Sequence, residues 1–441
     1  VVLAAERLIP NQYPTVQSAV DDSNNGDVVI ISPGIYRGSG NREIDLRGRA
    51  ITVRSARPDD LAVVDSTIID CELAGRAFVC CTGEDARSVI AGLTITNGHA
   101  FLGAALYCYN RSNPKIVNCV MSGNSATLGE AVACGSDSNP TIENCEIVNN
   151  SASVAGGAVY AGAASPKVIN CLVAGNIAVL GGAVNCAVSN TVVHSCTFSA
   201  NSASSGGGLY CSNTSNLTVQ NCIFWQNSAT KAPQILVSKS GDASWLTISY
   251  TDVQGGAGAA VVEEGCILNW GPGNFDAAPM FVSGPLGDFY LDPASPCVNA
   301  GSDLAADLGL AGFTTRADGV ADMGIVDLGY HYPGAQLVIL AGVQINPPTL
   351  NLAGKARYLV CHIRLPADYD AADIDSYTVL LADQLEPEWL GINRDEAGCR
   401  RAVQPGQAPA HPPAWPDPVD CKRKVNRRYR LCGLGCDQST E

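Results

Sequence analysis

Between Gly103 and about Lys231, apolar and polar positions recur with a period of 25 to 27 residues. Copies start at Gly103, Gly129, Gly156, Gly181 and Gly206, and each is crowded with Gly, Asn and β-branched residues. That period is too short for a helical-hairpin repeat and marks a solenoid. Leu106, Val132, Val159, Val184 and Leu209 make one apolar column. Two residues on stand Cys108, Cys134, Ala161, Cys186 and Cys211. Residues two apart on a strand share a face, so both columns point inward. The residues between them, Tyr107, Ala133, Tyr160, Asn185 and Tyr210, are then expected to point outward. A second strand carries Ile116, Ile142 and Val168, then Cys119, Cys145, Cys171, Cys196 and Cys222, then Met121, Ile147, Val173, Phe198 and Phe224. Each copy closes on Asn124, Asn150, Asn176, Asn201 or Asn227, a residue type that tolerates a left-handed turn. No copy keeps the apolar stripe of a helix.

Short strands with Gly and Asn corners, stacked at about 4.8 Å per coil, predict an all-β fold. The expected architecture is a right-handed parallel β-helix over residues 37–276, with regular repeats at 103–231. These repeats resemble the pectin-lyase-like superfamily. The GGA[VL] and F-x-x-N elements at 156–159, 181–184, 198–201 and 224–227 also resemble repeats of the polymorphic outer-membrane protein family. The first resemblance spans lyases, hydrolases, adhesins and inert stalks, so it implies no single activity.

The flanks differ from the repeats. In residues 1–36, Pro14-Thr15 precede Val16, Ala19 and Val20 at helical spacing, and Val28 to Ile31 then read as a strand. A short helix before the first strand would cap the open edge of the solenoid. Residues 277–335 resemble the choice-of-anchor Q closing segment in Pro279-Met280-Phe281, Phe289-Tyr290-Leu291, Ser295-Pro296-Cys297, Asn299-Ala300-Gly301 and 327–332. That likeness implies an exported bacterial protein, extracellular or at the cell surface. Residues 336–397 resemble an immunoglobulin-like module, a small C-terminal β-sandwich with strands expected at 337–339, 357–365 and 374–381. Residues 398–441 are Pro-rich and then basic, and are expected to be poorly ordered.

A formal charge of −15 and a pI near 4.7 argue against a nucleic-acid partner. No apolar run reaches the roughly eighteen residues of a membrane span. The chain has 19 cysteines. Those in the stacked columns fit buried thiols acting as small hydrophobes or cross-coil disulfides such as Cys119–Cys145.

Candidate chemistry is sparse. The carboxylates of the repeats are Glu130, Asp137, Glu143 and Glu146. Glu143 and Glu146 fall on opposite sides of a turn, so they do not read as an acid/base pair. Lys115 and Lys167 share an outward column two coils apart, while His99 and His194 read as surface or packed residues. Tyr107, Tyr160 and Tyr210 recur every second coil, about 9.6 Å apart, a spacing comparable to a disaccharide repeat. Tyr107, Tyr160, Asn185, Tyr210, Lys115 and Lys167 are therefore the glycan-binding candidates. Asp318, Asp322 and Asp327 flank a Gly as calcium-loop ligands do, giving a candidate structural Ca²⁺ site with a hydrogen-bonded turn as the alternative. Cys421, Cys432 and Cys436 are a weaker zinc candidate, and no cofactor is required. The leading expectation is a non-catalytic, adhesin-like β-helix protein whose partner is a polysaccharide or cell-surface glycan. The alternatives are a polysaccharide lyase or glycoside hydrolase acting at the charged early coils (Asp65, Asp70, Arg76), and a structural stalk.

Overall fold

In the computed structural model, which describes residues 4–334 and the backbone of six later strands, each coil turns through three parallel sheets. The first face has 11 strands, from Glu6–Ile9 to Ile267–Trp270. The second has nine, from Gly34–Tyr36 to Asp252–Val253. The third has nine, from Ile44–Asp45 to Val261–Val262. One coil runs Leu106–Cys108 on the third face, Lys115–Val117 on the first and Val120–Ser122 on the second. A short ridge strand, Ser125–Leu128, then leads back to the third face; it stacks between His99–Leu102 and Ser151–Ala155.

The inward columns explain why the coils stack. Ile116 pairs in register with Ile90 and Ile142, Met121 with Ile95 and Ile147, and Leu106 with Phe78 and Val132. All are buried. In later coils the second-face column is filled by Phe198 and Phe224, whose rings stack at 4.6 Å. Burial of this apolar column, at about 25 cal/mol per Å², is the main force holding the solenoid together.

Two corners are made by ladders of identical side chains. Asn124 Nδ2 donates to Asn150 Oδ1 at 3.0 Å, and the same bond links Asn150 to Asn176, Asn176 to Asn201 and, at 2.9 Å, Asn201 to Asn227. The left-handed residue of this corner is not the ladder Asn, as the sequence suggested, but the one before it: Gly123, Asn149, Gly175, Ala200 or Gln226. The ladder Asn needs its amide inside, where it satisfies buried backbone that the sharp turn leaves unpaired. At the other corner Cys119, Cys145, Cys171, Cys196 and Cys222 are buried, and every cysteine among residues 4–334 is a free thiol. The backbone N–H of Cys171 donates to Cys196 Sγ at 3.4 Å, and the Cys171 thiol donates to the Ile169 carbonyl at 3.2 Å.

The expected helix α1 (Val16–Asp22) forms and buries Val16, Ala19 and Val20, but it follows the first strand instead of preceding it: Glu6–Ile9 pairs parallel with Val28–Ile31 and is itself the edge of the first face. Thr15 caps α1, reciprocally bonded with Ser18. A second helix, α2 (Leu61–Ser66), was not expected; Asp60 caps it and Val63 and Val64 anchor it. Thr94 on the second face donates to the Val64 carbonyl at 2.9 Å.

The closing segment does not extend the stack. It folds back over the outer side of the second face. The Cys297 thiol donates to Asp252 Oδ2 at 3.4 Å, Asn221 exchanges two bonds with Ser302, and Tyr330 N–H donates to Thr197 Oγ1. Asn170 exchanges two bonds with the His331 backbone, and Tyr290, Tyr330 and Tyr332 pack on Leu172 and Ala174. The compact unit ends at Tyr332.

The second unit is described as backbone only. Gly342–Asn346, Leu359–Arg364, Gly398–Val403 and Trp389–Asn393 form a four-stranded antiparallel sheet, and Val338–Leu340 pairs parallel with Arg430–Cys432. The strand expected at 374–381 lies outside the described residues, as do Cys421 and Cys436. Gly398–Val403 pairs with two neighbours, Leu359–Arg364 and Trp389–Asn393.

Candidate functional site

The ridge stands beside the third face and leaves a groove of about 360 Å³ between them. Phe101, Leu102 and Leu128 come from the ridge; Tyr107, Gly135 and Tyr160 come from the face. Phe101 is 67% exposed, whereas Tyr107 and Tyr160 are half-buried. A Cβ at Gly162 would come within 2.7 Å of the Tyr160 ring, so that glycine lets the ring lie along the strand. Burial raises both tyrosine hydroxyls above their usual range. They are therefore neutral donors and acceptors at ordinary pH.

Only part of the outward tyrosine column is accessible. Asn185 is 3% exposed and Tyr210 is 7% exposed. The Asn185 amide turns back toward the Leu180 carbonyl, and Tyr210 packs with Ala232, Leu236 and Leu180. The expected outward ladder is thus closed in its last two members, because the ridge folds over them. Tyr107 is also engaged: the Arg76 guanidinium lies over its ring at 5.2 Å, and Tyr109 stacks on it at 5.0 Å. Free aromatic surface in the groove comes mainly from Tyr160 and Phe101. Sequence reasoning missed Phe101, since it sits in the ridge, outside the repeat columns.

Lys115 and Lys167 do share an outward column, through their common partner Thr141, but on the first face and away from the tyrosines. Lys115 pairs with Glu143 at 2.7 Å. Asp70 is held by Arg37 at 2.8 Å and by the Asn97 amide; these two bonds, with the Glu72 N–H, outweigh burial and keep its carboxyl below the usual range. Arg76 is tied to Glu43 and to the Leu102 carbonyl. The Asp318, Asp322 and Asp327 carboxylates go to different partners: Arg316, the buried His331 ring at 3.0 Å, and Thr315 with the Asn299 N–H. Among the described residues no group of three His, Cys, Asp or Glu is arranged to hold a metal ion. His194 bonds Ser195 and Asn221, and burial lowers its pKa, so it is a neutral packed ring.

One carboxylate stands apart. Glu146 points outward on the second face between Val120 and Leu172, and it has no hydrogen-bond or ion-pair partner among the described residues. Its carboxyl is pushed up to about 7, first by burial and then by the charge of Asp65 on α2. Asp65 is itself raised by the desolvation it meets there. The Glu146 charge in turn acts on Tyr290 and Tyr332 of the closing segment. Helix α2 and that segment thus flank Glu146 from two sides. The sequence suggested no acid pair because Glu146's neighbour is not Glu143 but a residue three coils away in the chain.

The family described as "Right handed beta helix region" matches residues 20–173 and 103–262, together more than half of the 441 residues. The chain belongs to this right-handed β-helix family. Among solved structures, a pectate lyase, Pel9A, is similar at 12% identity, covering 74% of this chain and 96% of its own, with a TM-score of 0.44. No curated protein matches the chain. In this β-helix no helix among the described residues is long and apolar enough to cross a membrane.

Proposed function

We propose that this β-helix is a non-catalytic glycan-binding protein, exported to the cell surface or beyond it, and that its polysaccharide partner lies in the groove beside the ridge. The observation that carries this reading is the groove's lining. Phe101 and Tyr160 offer apolar ring surface, Tyr107 and Tyr160 add neutral hydroxyls, and no charged side chain lines it. A sugar chain presents alternating C–H faces and hydroxyls, and stacking on an aromatic ring with a few polar contacts suits that chemistry. Export draws its support from the closing segment's resemblance. The test is retention of the full chain on insoluble neutral and acidic polysaccharides, with soluble products followed in the same tubes. Tyr160→Ala and Phe101→Ala should each weaken retention roughly tenfold, about 1.4 kcal/mol. Unchanged retention in both would move the partner elsewhere.

Glu146 favours a second reading, glycoside hydrolysis, because an acid needs a raised pKa and a carboxylate neighbour. Product release abolished by Glu146→Gln and falling as pH rises through about 7 would support it. Release unaffected by that change would remove Glu146 from the reaction.

A further inference from the structure

The second face carries another concavity, at Trp225, three strands along the stack from Glu146. It measures about 430 Å³, within the roughly 300–1,000 Å³ of small-ligand sites. Trp225 and Gln226 form one wall; Met280, Phe281, Asp288 and Phe289 form the other. We propose that this notch is a second saccharide-binding site, taking a neutral pyranose oligosaccharide by stacking on Trp225 and hydrogen bonding to Gln226 and Asp288. It shares only the ligand class with the groove reading and rests on that class being right, but it uses none of the same residues.

Four observations support it. First, Trp225 occupies the outward position that Ala174 and Ser199 fill in the two preceding coils. Ala174 is covered by the closing segment's tyrosines and Ser199 is fully buried. Trp225 is half-buried, one side packed against Ile223 and Leu291 and the rest open to the notch. An indole is therefore placed where the covering segment departs.

Second, the facing wall is packed within itself. Phe281 and Phe289 pair in an edge-to-face contact at 5.4 Å across the hairpin formed by Phe281–Gly284 and Gly287–Leu291. Third, Met280 is 44% exposed and takes a left-handed backbone with φ 54°, a costly conformation for a long side chain. It is pinned there, since its carbonyl accepts from the Asp292 N–H and the Pro279 carbonyl accepts from the Ser295 hydroxyl. Strain held by its surroundings puts an apolar side chain at the rim.

Fourth, the polar groups suit hydroxyls. The Gln226 side chain is exposed, with no partner among the described residues, and its amide can donate and accept. Asp288 is exposed and accepts the Ser283 hydroxyl at 2.7 Å on Oδ1, a bond that leaves the second carboxylate oxygen for a ligand hydroxyl. No Lys, Arg or His lines the notch, and the whole chain carries −15, so a polyanion is disfavoured. A protein side chain would fill the apolar part but leave Gln226 and Asp288 to water.

The experiment is calorimetric titration of the full chain with cellohexaose, mannohexaose and xylohexaose, with hexagalacturonate as the anionic control. Tryptophan emission is read in the same samples. At least one neutral hexasaccharide should shift the emission saturably, and Asp288→Asn and Trp225→Ala should each weaken that binding tenfold or more. Tyr160→Ala should leave the emission change intact. Because Asp288 is exposed, its variant decides the matter even if Trp225→Ala fails to fold. The proposal is overturned by no emission change with any neutral sugar, by tighter binding of hexagalacturonate, or by binding indifferent to both variants. Self-association in sedimentation that Trp225→Ala abolishes would overturn it in favour of a second copy. Loss of Tyr160-dependent retention with the Trp225 signal preserved would reject the groove and leave the notch standing.

Discussion

Glu130 occupies the position held by Gly157, Gly182 and Gly207 in later copies of the repeat, where backbone of the next coil comes close. It is fully buried, and neither carboxylate oxygen has a hydrogen-bond partner. The ridge changes register between Ala126 and Leu128 opposite Ser151–Ala155, so the packing is already irregular beside it. Burial pushes its carboxyl up to about 10 from an ordinary 4.5. The folded state therefore keeps a proton that the unfolded chain releases above about pH 4.5. The stability associated with that proton is fully present below pH 4.5 and is lost as pH rises toward 10. Glu130→Ala should stabilise the β-helix at pH 8 by about 1–3 kcal/mol and have little effect at pH 4. Denaturant midpoints at the two values check this; a larger gain at pH 4 would mean that Glu130 has an unrecognised partner in the fold.

Elements depend on ladders and on one segment that returns across the solenoid. Asn176 accepts from the backbone and the amide of Asn150 and donates to the Ile147 carbonyl and to Asn201. Asn176→Ala leaves several of these buried groups unpaired and should cost at least about 2 kcal/mol, read as a lowered denaturant midpoint. The closing segment is held partly by Asp252, which is fully buried and pushed up to about 7 by that burial. Its folded pKa lies above the ordinary 3.8, so stability present below 3.8 is lost as pH rises through 7. Asp252→Asn should raise the melting temperature at pH 8 and leave it unchanged at pH 3.5, which thermal melts test directly. The strands, the inward columns and the N-terminal helix were all legible in the sequence, because the period of 25 to 27 residues and the alternation of faces impose them. The returning segment had a signal that went unread. Leu172 and Ile223 are apolar at an outward position where Val120 and Glu146 precede them, and such side chains need a cover. The Glu146–Asp65 approach could not be read at all, because it depends on a helix of six residues inserted at a corner within one coil, between Thr52–Ser55 and Thr67–Asp70.

In the β-helix each coil's strands pair only with those of the neighbouring coils, so the stability of the stack sums over coils and interfaces. That arrangement decides between the two readings of the cysteine columns. A thiol at this corner already donates to a carbonyl of its own coil and accepts a backbone N–H from the preceding one, as Cys196 does with His194 and Cys171. Its burial pushes the pKa well above that of a free thiol, as it does for Cys145 and Cys171. Thiol–disulfide exchange needs thiolate and access, and these positions offer neither in the folded state. Native protein treated with iodoacetamide should therefore be modified at the half-exposed Cys81 and Cys266, while Cys119, Cys145, Cys171, Cys196 and Cys222 react only after unfolding. Peptide mapping by mass spectrometry reads each site separately. A reductant should leave the melting temperature of the β-helix within about 1 °C, because among its described residues no loop is closed by a disulfide whose loss would free the unfolded chain. A fall of several degrees, with column cysteines recovered as linked peptides, would instead establish cross-coil bridges and make the stack's stability depend on its redox surroundings.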